Sequence, residues 1–116
     1  MIVEGQLQGG IAQGIGSALT EDLVYDDNGQ LITQSFMDYG LPTAAQLPPL
    51  DTALVNFPSI VNDLGIKGVG ESGAIAPAAA IANAVEDALA GFGLTILELP
   101  VTPARLFSLL RARRAG

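Results

Sequence analysis

The sequence predicts an α+β domain, on three observations. Aliphatic residues recur at helical spacing near the N-terminal end, an Asn-Gly pair separates two short β-type runs, and a glycine loop opens onto a long small-residue stretch. The expected order is helix, β-hairpin, strand, helix, strand, helix, within one packed unit covering residues 1–116.

Leu7, Ile11, Ile15 and Leu19 stand four apart and mark the first helix, over about residues 5–19. Gly5, Gly9, Gly10, Gly14 and Gly16 fall inside it, and each costs roughly 0.5–1 kcal/mol relative to Ala. Such a helix needs close contact with another backbone or a ligand to offset them. Leu23–Tyr25 and Leu31–Thr33 flank Asp26-Asp27-Asn28-Gly29, where Asn28-Gly29 signals a two-residue hairpin turn. Ser35–Gly40 is expected to continue as an extended segment, before Pro42, Pro48 and Pro49 impose an irregular connection. Ala53–Phe57 alternates weakly and ends at Pro58, as a short strand would.

A second helix is expected to begin at Ser72 or Gly73 and run to about Leu89, with Ile75, Ala78, Ala79, Ala82, Val85 and Leu89 on one face. Gly91 and Gly93 stop it. Leu94–Leu99 is a strand candidate. Thr102-Pro103 then supplies an N-cap and a first-turn proline for a last helix that buries Leu106, Leu109 and Leu110.

Composition removes many functions. The net charge of −7 disfavours a nucleic-acid partner, because that affinity rests on cationic neutralisation. Arg111, Arg113 and Arg114 suit a helix C-terminus better than a phosphate-binding patch. With no Cys and no His, the usual zinc sites, thiolate clusters, disulfides and histidine bases are excluded. The run from Ala74 is interrupted by Pro77, Glu86 and Asp87, so no membrane span is expected, and a cytoplasmic location is the default. At 49% hydrophobic against 15% charged, the chain is too apolar for disorder, and some of its surface is expected to meet another chain or domain.

The stretch richest in chemistry is Lys67-Gly68-Val69-Gly70-Glu71-Ser72-Gly73. Its glycines permit a sharp turn and close backbone approach, and one carboxylate stands among them. Gly68, Gly70 and Gly73 match the dinucleotide string G-x-G-x-x-G, but Glu71 would oppose a pyrophosphate, and no strand ending in an acid follows at the right distance. A glycine turn capping a helix, with an exposed Glu, accounts for the same residues without any ligand.

Three segments in order, Glu4 to Gly16, Ser35 to Thr43 and Lys67 to Gly73, resemble the C-terminal end of the molybdopterin-binding large subunit of the xanthine oxidase family. The likeness is strongest to carbon monoxide dehydrogenase-type and aldehyde oxidoreductase-type subunits and spans nearly the whole chain. It implies a fragment of a larger molybdenum-cofactor-binding domain. It also implies oxidative hydroxylation with water as the oxygen source, and Glu71 as the active-site base. By the same resemblance, Gly68, Val69, Gly70 and Ser72 offer amides to the cofactor, Gln6 hydrogen-bonds near its dithiolene, and Gln13 has a packing role. Related sequences often carry Asn-Pro where this one has Asn62-Asp63. The implied cofactor is molybdenum-molybdopterin, including its cytosine dinucleotide form, with iron–sulfur clusters and FAD on other domains or subunits. The implied partners are the rest of the large subunit and the iron–sulfur and flavin subunits. Alone, the chain is expected to be inactive and to self-associate. A non-catalytic interaction or scaffold domain is the alternative, and a nucleotide-binding module the weaker one.

Overall fold

The computed structural model describes residues 1–114. Its helices are α1, Ile2–Leu19; α2, Pro77–Ala88; and α3, Pro103–Arg114, with 3₁₀ turns at Ala44–Gln46 and Ala90–Phe92. Among the described residues there is no β-strand, only one antiparallel bridge between Tyr25 and Leu31. The α half of the expected architecture is present, and the β half is corrected.

The corrections have local causes. The hairpin exists as a turn, but its loop has three residues. Asp26 N–H donates to the Gln30 carbonyl at 2.9 Å, Gly29 N–H donates to the Asp26 carbonyl at 2.9 Å, and Gly29 alone takes a positive φ of 79°. A type I turn followed by a left-handed glycine therefore replaces the two-residue turn, which would need Asn28 left-handed as well. Ser35–Gly40 is a turn because the Ser35 hydroxyl competes for backbone. It accepts from Met37 N–H at 3.2 Å and donates to Asp38 at 3.0 Å, while Tyr39 N–H reaches the Ser35 carbonyl at 2.8 Å. Residues 53–57 and 94–99 have the composition of strands, but no neighbouring segment pairs with them. A period of two sets which side chains share a face, and a strand needs a partner as well.

Helix α1 accommodates its glycines by two routes. A Cβ on Gly10 would lie 2.8 Å from Gly73 Cα, and one on Gly14 would lie 2.7 Å from Pro77 Cβ, so these positions let α1 press against the start of α2. Gly5 and Gly9 have nothing within 4 Å and face open space. Gly10→Ala is therefore expected to destabilise by about 1–3 kcal/mol through overpacking against backbone that cannot retreat. Gly9→Ala should instead stabilise by about 0.5–1 kcal/mol. Opposite shifts of the urea midpoint would verify the pair.

Helix α2 begins at Pro77, later than expected, because the proline presets the first helical φ and residues 70–76 are spent in turns. It ends at Ala88, and Gly93, with φ 60°, closes the following 3₁₀ turn. Helix α3 starts as expected: Arg105 N–H donates to Thr102 Oγ1 at 3.2 Å, with Pro103 in the first turn. Arg111 lies 5.9 Å from the Phe107 ring centroid and Arg114 lies 5.7 Å from that of Phe92, so these cations cover aromatic faces.

The chain is elongated and sparsely packed. The radius of gyration is 18.0 Å, with extents of 60 × 36 × 30 Å, whereas a compact chain near this length has about 13 Å. Buried apolar side chains are few: Ala18, Leu94 and Val101. Val101 N–H donates to the Ala18 carbonyl at 2.6 Å, and the Glu86 carboxylate accepts from Ile96 N–H, which ties the C-terminal segment to α1 and α2. Ile60, Met37, Val61, Leu97 and Phe36 are almost fully exposed. Among the described residues no helix is long and apolar enough to cross a membrane.

The Asp26 turn carries its own pH signature. Backbone hydrogen bonds from Gln30 and then Asn28 hold the Asp26 carboxyl below its ordinary value. A depressed carboxyl contributes its stabilisation above the unfolded pKa and loses it as pH falls through the folded one. Acidification below the ordinary carboxylate range should release the Asn28 and Gln30 amides, read as upfield movement of their proton resonances, and Asp26→Asn should largely abolish that pH dependence.

Candidate functional site

The glycine loop is built from three successive pieces. Asn62 starts it by binding Ile66 twice, with Nδ2 donating to the Ile66 carbonyl and Oδ1 accepting from Ile66 N–H, each at 3.0 Å. Gly65, at φ 64°, donates to the Asn62 carbonyl and packs on Pro58, which lies 2.9 Å from where a Cβ would stand. The side-chain amide of Asn62 thus closes the turn around Asp63.

Residues 66–69 then run without regular structure to a turn over Gly70–Ala74. Ser72 N–H donates to the Val69 carbonyl at 3.1 Å, and Ala74 N–H to the Glu71 carbonyl at 2.9 Å. Gly73 is buried directly against the Leu7 carbonyl of α1, which a side chain would displace. This contact docks the loop on the first helix.

Docking brings two distant candidates together. Gln6 Nε2 lies 3.6 Å from a Cβ built on Gly70, although 64 positions separate them in sequence. Gln13, by contrast, sits exposed about two turns further along α1. Glu71 is exposed in the turn, six positions before α2 starts, so the expectation that it stands at a helix mouth is corrected. It lines none of three cavities, which are formed around residues 33–36, between α1 and α2, and beside residues 54–58. Two of these flank it: Gly68 and Val69 border one, Ser72 and Gly73 the other.

The donor set is unusual for so short a stretch. Among the described residues the amides of Gly68, Val69, Gly70 and Glu71 make no backbone hydrogen bond, whereas Ser72 uses its own within the turn. A Cβ on Gly68 would meet nothing within 4 Å. Free amides, a glycine with open space before it and the nearby Gln6 amide fit an acceptor-rich group approaching from that side. No cluster of three or more metal-ligating side chains occurs among the described residues, so a metal here would come with its own ligands. For the dinucleotide alternative the loop lacks its context: among the described residues no strand leads into Gly68, and no helix opens at Gly73, the next one starting at Pro77.

Sequence reasoning missed the Asn62 clamp and a second one at the end of α1. Tyr39 O–H donates to Glu21 at 2.5 Å, Thr20 Oγ1 donates to the Gly40 carbonyl at 2.5 Å, and the Glu21 bond pushes the Tyr39 phenol above its ordinary value. Asn62 four positions before the apolar Ile66 was a legible signal for the first. The second joins residues 18 apart and has no local sign.

The signature of the molybdopterin cofactor-binding domain matches residues 1–48. The nicotine 6-hydroxylase large subunit of Paenarthrobacter nicotinovorans is 50% identical over 105 residues, which is 90% of this chain and 13% of that protein. The carbon monoxide dehydrogenase large chain of Hydrogenophaga pseudoflava is 37% identical over 111 residues, 96% of this chain and 14% of that one. The crystal structure of quinoline 2-oxidoreductase from Pseudomonas putida 86 superposes with a TM-score of 0.90 at 47% identity, over 96% of this chain and 14% of that one. The chain thus spans 13–14% of the length of these relatives. With the glycine loop docked on α1 and these likenesses running nearly end to end, the chain belongs to the family of molybdenum-binding large subunits that includes carbon monoxide dehydrogenase, xanthine dehydrogenase and aldehyde oxidoreductase.

Proposed function

We propose that this chain forms one segment of the molybdopterin site in a larger molybdenum-dependent oxidoreductase subunit, with Glu71 as the proton acceptor. The observation that carries this reading is the meeting of Gln6 with the 68–73 loop across the α1 contact at Gly73. The amides of Gly68, Val69 and Gly70 would hold the cofactor's acceptor atoms, with Ser72 fixing the turn behind them and Gln6 donating from α1. When bound, the molybdenum centre supplies the two-electron acceptor for an oxidative hydroxylation with water as the oxygen source. Glu71 stands free of competing partners among the described residues, so its carboxylate is available to take the proton.

The chain's own walls do not enclose Glu71, and in this reading the remainder of the subunit completes the pocket and excludes water. The remainder of the large subunit is then the first partner, and iron–sulfur and flavin subunits carry the electrons away. The cofactor includes the cytosine dinucleotide form. Two relatives carry nicotine and quinoline in their names. A nitrogen heteroaromatic is therefore the proposed substrate class, since its carbon beside the ring nitrogen is electron-poor and open to attack by oxygen.

The test is steric and reads metal rather than turnover. Gly68→Val in the complete subunit should fill the open space before the free amides and remove most of the bound molybdenum, with the circular dichroism spectrum unchanged. Full molybdenum content in that variant would mean that the loop does not hold the cofactor.

A further inference from the structure

The loop that carries the candidate donors cannot hold its own shape. Among the described residues the amides from Lys67 to Glu71 enter no backbone hydrogen bond, and a loop whose amides are kept free for a ligand has to be fixed from its two ends. The downstream end is fixed twice, by Ser72 N–H on the Val69 carbonyl at 3.1 Å and by Gly73 against the Leu7 carbonyl of α1. At the upstream end the last fixture before Lys67 is the Asn62 side chain.

Its geometry fits that task. Nδ2 donates to the Ile66 carbonyl and Oδ1 accepts from Ile66 N–H, each at 3.0 Å, so one amide side chain satisfies both backbone groups of the residue before Lys67, as a neighbouring strand would. Behind it, Ser59 N–H on the Gly65 carbonyl at 2.9 Å and Gly65 N–H on the Asn62 carbonyl at 3.1 Å close residues 59–65 into a compact loop. Only Lys67 and Gly68 then separate the Ile66 anchor from the one at Val69.

We infer that Asn62 is a positioning residue for the molybdopterin site, setting where the Gly68 and Val69 amides point by holding the Ile66 backbone. The inference rests on the reading of this loop as the cofactor's holder. Both Asn62 bonds are exposed, where a hydrogen bond adds little to global stability, so the clamp orders a short span and the fold does not depend on it. Glu71 lies beyond the Val69 anchor, in a turn with bonds of its own. The clamp should therefore govern how much cofactor is retained and leave the chemistry at each bound cofactor alone.

Asn62→Ala in the complete subunit should lower molybdenum content by roughly fivefold or more, with turnover per bound molybdenum within about twofold of normal and the melting temperature nearly unchanged. Asn62→Asp keeps the acceptor but sets an oxygen against the Ile66 carbonyl, and should lose metal in the same way. Asp26→Ala is the control, since it also removes two backbone hydrogen bonds from one exposed turn, those from Asn28 and Gln30, and should leave molybdenum content intact. Equal metal loss in Asp26→Ala, or turnover per molybdenum falling along with content in Asn62→Ala, would overturn the inference. Where Gly68→Val loses its metal and Asn62→Ala does not, the inference fails and the cofactor reading stands; where both keep it, both fail. Should the Asn62 variants not fold, hydrogen exchange on the unaltered subunit prepared without cofactor decides: Ile66 N–H should exchange roughly tenfold more slowly than Gly68 N–H, and equal rates would remove the clamp and the inference with it.

Discussion

Replacing Glu71 with Gln in the complete subunit should lower turnover by roughly 10²-fold or more while leaving molybdenum content near normal. Gln keeps the size and the acceptor oxygen of the side chain but cannot take a proton. The substitution therefore removes general-base chemistry without opening space. The fold should be indifferent to it, because Glu71 is exposed, its side chain makes no hydrogen bond or ion pair among the described residues, and its backbone carbonyl alone bonds to Ala74. Steady-state kinetics together with metal analysis separate the outcomes. A loss of turnover in parallel with a loss of metal would place Glu71 in cofactor retention, and an undiminished rate would leave the chain a scaffold for chemistry performed elsewhere.

The isolated chain should self-associate at micromolar concentration. Its apolar surface is extensive and contiguous in places: Phe36 and Met37 are adjacent, Ile60, Val61 and Leu64 share one loop, and a groove of about 470 Å³ runs between α1 and α2 along Ile11, Ile15, Pro77 and Ile81. Covering such surface contributes about 25 cal/mol per Å² of apolar area, so a few hundred Å² outweighs a good part of the cost of association. Sedimentation velocity should show species heavier than the 116-residue monomer. A dye that reports exposed apolar surface should bind strongly. A compact monomer that leaves the dye dark would contradict both the elongated shape and the exposed side chains, and with them the proposal that a larger subunit covers this face.

Local chemistry was legible wherever a residue acts on its sequence neighbours. Thr102 and Pro103 start α3, Gly93 ends the α2 region, Gly29 turns the chain after Asp26, and the aliphatic spacing of α1 makes a helix. The motif Lys67 to Gly73 and its resemblance to molybdenum-binding subunits were legible too, because identity and order of residues carry them. The strands over 53–57 and 94–99 were misread, since alternation implies a face while pairing depends on a neighbour that sequence spacing does not name. The start of α2 slipped by four or five residues because small apolar residues suit turn and helix alike, and Pro77 decided between them.

By itself the sequence determined the helical elements, the absence of cysteine and histidine chemistry, the acidic balance and the one loop able to approach a ligand. Only the tertiary structure decided which glycines of α1 serve packing and which face open space. It also brought Gln6 to Gly70, left the amides of 68–71 without backbone partners among the described residues, and set Lys67 beside the same cavity as Phe57. The physical reason is range. Capping, turns and helical periodicity are settled within a few residues by sterics and local hydrogen bonds, whereas a site is made by segments far apart in the chain whose close approach depends on the packing of everything between them.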